Sequence, residues 1–196
     1  KDIGLGGVHG TVTPNGAAAR SYTQTRFGEP TWNFNNSTST YLSVPDDATL
    51  RFGTGNFTVE GWAYVSSFNP VNAFAAKRSS GGNANHEWLI GINNSGQLLW
   101  SDSVGSATSG ATASTGSWFY WSWSRSSTTN YLQINGGAPS TFTNGNDYND
   151  TSALRIGGDF NSGGSNAYNG FLFGARISKG VVRYTAAYSV PLGPLS

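Results

Sequence analysis

Glu29, Glu60 and Glu87 are the chain's only glutamates, and acid–base chemistry would begin with them. Glycoside hydrolysis needs two carboxyl groups, about 5–5.5 Å apart for retention and about 6.5–9.5 Å for inversion. On a strand, residues two apart share a face and can supply such a pair. None of the three glutamates has an acidic residue within four positions. Glu60, in FTVEGW, reads as the partner of an arginine or of backbone. Asp147 and Asp150 lie in a turn-rich loop and read as turn residues. The two histidines, His9 and His86, accompany no G-x-S-x-G elbow. The glycine-rich GGDFNSGG lacks the lysine and the following helix of a phosphate cradle. Cysteine is absent, which excludes a disulfide framework, a thiolate metal site and a cysteine nucleophile. These residues indicate a protein that is not an enzyme.

Binding chemistry has better candidates. The loop Gly158–Asn169, GDFNSGGSNAYN, carries Asp159, Phe160, Asn161 and Tyr168. Sugars stack on aromatic rings while their hydroxyls take polar partners, so these four form a candidate ligand site. A glycine-rich display loop has the same composition. The stretch SWFYWSWSR, 117–125, poses a second choice between an aromatic platform and a core strand. Alternation puts Phe119, Trp121, Trp123 and Arg125 on one face and Trp118, Tyr120, Ser122 and Ser124 on the other. One apolar row against one that fades into serine favours a strand buried on one side and partly covered on the other. Trp62 and Phe57 join Trp121 and Trp123 as candidate core.

The elements that must position these residues are short strands. Alternating runs separated by glycine or asparagine predict strands near 8–13, 20–26, 31–35, 40–44, 56–65, 72–77, 86–92, 97–103, 117–125, 130–134, 140–143, 153–157 and 168–178. INNSGQLLW and YLQINGGAP read as hairpins, the second with Asn135-Gly136 suited to positive φ. Only 45–53, PDDATLRFG, suits a helical turn. The pattern predicts an all-β, two-sheet antiparallel sandwich or jelly roll, with 1–7 a flexible lead-in and 8–196 a single domain. Eleven basic and ten acidic residues with no basic run exclude phosphate-driven nucleic acid binding. No apolar stretch reaches the roughly 20 residues of a membrane-spanning helix. A start at Lys1 with no methionine suggests a chain processed from something longer.

Six segments in order, RFGEPTWNF, YLSVPDDATLRFGTGNFTVEGWAYV, WFYWSWSR, YLQING, LRIGGD and NGFLFGARISKGVVRYT, resemble the laminin-G-like, concanavalin-A-like sandwich domain. The resemblance covers roughly 8–190 and is nearest to the version found in bacteriophage tail and particle proteins. It implies two antiparallel sheets of six or seven strands, with smaller apolar residues where Trp121 and Trp123 stand here. Gly61, Ala63, Gly91 and Gly174 are the expected sources of room for those indoles. Some relatives hold calcium on acidic rims, which makes Asp46, Asp47 and Asp159 with Asn161 the metal candidates. The competing reading, Asp46-Asp47 as the cap of a helical turn, is preferred, and no cofactor is expected. The implied function is a virion structural or decoration module displayed on the particle surface. Its partners would be other virion proteins, copies of itself, or host-surface glycans. A stand-alone carbohydrate-binding module or lectin, or a bacterial adhesion domain, is the alternative.

Overall fold

The computed structural model describes residues 11–78, 87–160 and 166–195. Its strands in chain order begin with β1 (Thr13–Asn15), β2 (Ala19–Arg26), β3 (Glu29–Asn35), β4 (Tyr41–Val44) and β5 (Phe57–Val65). They continue with β6 (Val71–Lys77), β7 (Trp88–Asn93), β8 (Gln97–Ser101), β9 (Ser106–Thr112) and β10 (Trp118–Ser126). The last four are β11 (Thr129–Ile134), β12 (Ser140–Thr143), β13 (Leu154–Ile156) and β14 (Asn169–Lys179). One seven-stranded antiparallel sheet runs β1-β4-β13-β6-β7-β8-β9, and the other runs β12-β11-β10-β5-β14-β3-β2. The two sheets pack face to face, as the alternating pattern predicts. The single described helical turn is 3-10, Ala48–Leu50.

Between the sheets lies an aromatic core. Phe57, Trp88, Trp121 and Trp123 are all essentially inaccessible, so the core reading of the tryptophan strand holds. Trp123 stands edge-on to Phe57 (4.5 Å between centroids) and Trp88 (5.5 Å), a favoured geometry for ring pairs. Gly61 makes room for Trp121: a Cβ there would lie 3.1 Å from the indole. Gly91 and Gly174 do not serve that purpose. A Cβ at Gly91 would meet the Asn72 backbone, and Gly174 sits at φ +63° beside Leu195.

The opposite face of β10 departs from expectation. Tyr120, Ser122 and Ser124 are not partly covered but fully buried. The chain after β14 returns across the outer face of the second sheet and is tied down there. Arg183 N donates to Thr58 Oγ1 (3.0 Å), and Tyr188 N donates to the Gly136 carbonyl (2.9 Å). Gln133 Nε2 donates to the Ala186 carbonyl (2.9 Å). Trp62 therefore belongs not with Trp121 and Trp123 but to this second cluster, with Tyr120 and Leu195. The buried hydroxyls are paired there: Ser122 Oγ with the Tyr188 hydroxyl (2.8 Å), and Ser124 Oγ with Thr58 Oγ1 (3.0 Å), which donates on to the Val181 carbonyl (2.9 Å).

Two strand boundaries also differ. The strand expected at 8–13 begins at Thr13 and carries Pro14, as an edge strand can; positions 8–10 lie outside the described residues, as does the lead-in. β9 has no counterpart in the sequence reading. Its SATSGAT has no apolar alternation and only Ser109 is buried, so its pairing with β8 holds it, aided by Leu98 N donating to Ser109 Oγ (2.9 Å).

Candidate functional site

Glu60 is completely buried on the outer face of the second sheet. Strand register places Ser122 on one side and Arg176 on the other, so no second carboxylate neighbours it. Arg176 Nε donates to Glu60 Oε1 (2.7 Å), Arg183 Nε lies 3.2 Å from the same oxygen, and the Tyr120 hydroxyl donates to Oε2. Burial draws the Arg176 guanidinium down, but the hydrogen bond and charge of Glu60 outweigh it and the net shift is upward. Burial and the Glu60 charge push the Tyr120 phenol far above its ordinary value. Arg176 and Tyr120 are thereby each held in one protonation state, the opposite of what proton transfer needs. Glu87 is buried, Glu29 is exposed, and His9 and His86 lie outside the described residues.

The metal candidates divide. Asp47 caps the 3-10 turn, accepting from Thr49 N at 2.8 Å. Asp46 is held by Arg51 and by the buried Lys77, whose Nζ is 2.6 Å away. The hydrogen bond from Arg51, aided by Lys77, outweighs burial and lowers the Asp46 carboxyl to about 2. Asp150 accepts from Ser152 N (2.8 Å) in a turn, and Asn149 N donates to the Asp147 carbonyl (2.9 Å). Among the described residues no three histidine, cysteine or acidic side chains converge on a point that would hold a metal.

The LRIGGD segment builds a more open site. Gly157 adopts φ +75°, and a Cβ there would fall 2.1 Å from the Phe34 ring, so only glycine fits. The turn brings Asp159 and Phe160 back over Arg155, the outward residue of β13. Asp159 is buried: Oδ1 accepts from Phe160 N (2.7 Å), and Oδ2 from Asn166 Nδ2 (2.8 Å) and Arg78 Nη1 (3.3 Å). Arg78 is anchored in turn on the Ser101 hydroxyl (2.6 Å). Arg155 pairs in register with Ser43, which puts Tyr41 on the diagonal of the same face. The Arg155 guanidinium lies between two rings, 3.9 Å from the Tyr41 centroid and 3.5 Å from that of Phe160. Tyr41, Arg155 and Phe160 all remain partly accessible.

Of the four expected ligand residues, Asp159 and Phe160 come together here, Asp159 as a buried support and Phe160 as a surface ring. Asn161 lies outside the described residues. Tyr168 is a correction. It is fully buried in the main core, its hydroxyl donating to the backbone carbonyls of Tyr64 (3.0 Å) and Phe171 (3.1 Å). In sequence it closes the candidate loop and opens the strand expected at 168–178, but the ring packs edge-on against Phe34 and Phe74. Sequence alone does not mark Arg155, Tyr41 or Arg78 as site residues. Alternation in LRI marks Arg155 as outward-facing, but the two rings that embrace it come from distant positions.

The chain belongs to the concanavalin A-like lectin/glucanases superfamily, whose laminin G-type family model matches residues 36–183. No curated protein sequence matches it. Among solved structures, domain 4 of AbnA, an extracellular GH43 arabinanase from Geobacillus stearothermophilus solved with arabinotriose, superposes with a TM-score of 0.65 at 17% identity. That match covers 88% of this chain and 83% of the arabinanase domain. The binding domain of Paraclostridial Mosquitocidal Protein 1 gives 0.65 at 14% identity, covering 89% of this chain and 45% of the other. Domains LG4-5 of the mouse laminin alpha1 chain give 0.60 at 14%, covering 83% of this chain and 44% of theirs. At these identities the likeness establishes the shared sandwich.

Proposed function

We propose that this domain is a non-catalytic carbohydrate-binding module whose ligand meets the outer face of the first sheet. The observation that carries the reading is the Tyr41–Arg155–Phe160 stack. It presents ring surface and guanidinium donors together, on partly accessible side chains fixed from below by Asp159 and Arg78. Sugars are recognised by that pairing of apolar ring contact with convergent hydrogen bonds. The arabinotriose-bound arabinanase domain, which shares the fold, supports the reading. The commitment of Glu60 and Asp46 to arginine and lysine supports the non-catalytic part. Isothermal titration or affinity electrophoresis against a panel of oligosaccharides tests it. Binding is expected to weaken in Phe160→Ala and Tyr41→Ala while melting temperature changes little. Binding that survives both substitutions places the ligand elsewhere.

The setting we propose is display in many copies on a surface, that of a bacteriophage particle. The resemblance of RISKGVVRYT and its companions to particle proteins supports this. Mass spectrometry of intact particles would find the chain there at defined copy number. Its absence from particles and presence on a bacterial cell surface would favour the adhesion reading.

A further inference from the structure

The Arg155 guanidinium is paired on one atom only: Nη1 donates to the Asp159 carbonyl at 3.0 Å. Nε and Nη2 have no hydrogen-bond partner among the described residues, yet neither is a buried orphan. The donors therefore face solvent. Tyr41 and Phe160 both lie against the guanidinium, and Nη1 is taken by the carbonyl, which leaves the Nε/Nη2 edge as its unpaired donor surface. That edge, Nε–H beside Nη2–H, is the pair of parallel donors that fits a carboxylate bidentately. Most surface arginines sacrifice side-chain freedom when they bind. This one is already held by two rings and one hydrogen bond, so little is left to order. The local charge agrees: Arg155 and Arg78 are two cations against the single Asp159 carboxylate, to which only Arg78 is ion-paired. Partial burial also pulls the Arg155 guanidinium below its ordinary value.

We infer that the ligand is an acidic saccharide, a uronic or sialic acid, whose carboxylate docks on the open Nε/Nη2 edge of Arg155 beside Phe160. This rests on the carbohydrate-binding reading above, and sharpens it from sugars in general to those bearing a carboxylate. A neutral sugar could accept from the same edge but would bring no counter-charge to it.

Matched probes separate the two readings. Trigalacturonate is compared with its methyl ester, and 3′-sialyllactose with lactose, by titration calorimetry at low and moderate salt. At least one acid member should bind about 10- to 100-fold more tightly than its neutral partner, the span expected of a charge-assisted hydrogen-bonded contact. The gap should shrink with added salt. Arg155→Gln should abolish the gap, and Arg155→Lys, which keeps the charge but not the fork, should restore only part of it. The esterified and desialylated probes need no variant, so a misfolded substitution does not blunt the test. If neutral and acidic partners bind equally, the carbohydrate reading stands and the acidic one falls. Preference for sulfated over carboxylated oligosaccharides also overturns it. If no saccharide binds, both readings fall.

Discussion

Trp121 and Trp123 stand two apart on one face of β10 and are equally buried, but their indole N–H groups differ. Trp123 Nε1 donates to Asn130 Oδ1 at 3.0 Å, deep in the sandwich, while Trp121 Nε1 has no partner among the described residues. Phenylalanine at either position removes a similar slice of ring, roughly two carbon-sized groups or about 1–2 kcal/mol. At Trp123 it also strips the buried Asn130 oxygen of its donor, which adds about 1–3 kcal/mol. At Trp121 it deletes an unpaired donor whose burial already costs about 1–2 kcal/mol, so packing loss and polar relief nearly cancel. Trp123→Phe is therefore expected to destabilise by at least about 2 kcal/mol more than Trp121→Phe. In a chain of this size that is roughly 4–8 °C in melting temperature. Urea unfolding followed by far-UV circular dichroism measures it, because tryptophan fluorescence changes with the substitution itself. The double variant Trp123→Phe, Asn130→Val should recover part of the loss. If Trp121→Phe proves as damaging as Trp123→Phe, the polar bookkeeping is wrong and packing alone governs the site.

Asp46 gives a pH prediction. Its carboxyl is lowered to about 2 from an ordinary 3.8, so its stabilisation is present above about pH 4 and lost as pH falls through 2. Asp46→Asn should cost about 1–2 kcal/mol at neutral pH after allowance for solvent screening, and melting curves of the two proteins should converge near pH 2; a constant gap would show that charge is not the cause. Glu60→Gln should cost about 3 kcal/mol by leaving Arg176 and Arg183 without their shared counter-charge, seen as an earlier denaturant midpoint. A midpoint equal to wild type would mean that the network is neutral in net stability. Gly61→Val should destabilise by about 1–3 kcal/mol through overpacking against Trp121, and Trp121→Phe in the same chain should relieve it; strictly additive losses would contradict a direct clash.

Much of this architecture is local and was readable from sequence. The turn at Asn135-Gly136 adopts the paired positive φ that its residues prescribe, at 51° and 67°. Asp47 caps its turn, and Phe119, Trp121 and Trp123 face the core as alternation requires. What escaped is non-local or carried by backbone. β9 has no apolar signature because it is held by pairing at a sheet edge. Ser122 and Ser124 look like surface because their cover is a polar segment more than 50 residues away. Tyr168 looks like a loop aromatic because nothing nearby announces that its hydroxyl will find two backbone carbonyls. The site is the extreme case. Asp159 and Phe160 were recognisable as a loop acid beside a ring, whereas Arg155 gains meaning only when β4 and the β13–β14 loop bring two rings against it.

The two sheets also divide the labour between them. The second sheet spends its outer face on stability: Glu60, Tyr120, Ser122 and Trp62 are sealed beneath the residues that follow β14, held by hydrogen bonds to Thr58, Gly136 and Gln133. A ligand reaching those groups would have to displace that cover and leave a buried carboxylate to water and two arginines. The first sheet has the reverse arrangement at its β4–β13 side. Its acid, Asp159, is buried and fully engaged, while its cation and rings point outward. The Asp159 backbone carbonyl holds the Arg155 guanidinium while its carboxylate is taken up by Arg78 and Asn166, so this face presents donors rather than a free carboxylate. The two faces thus differ in which charge the fold hides and which it leaves open.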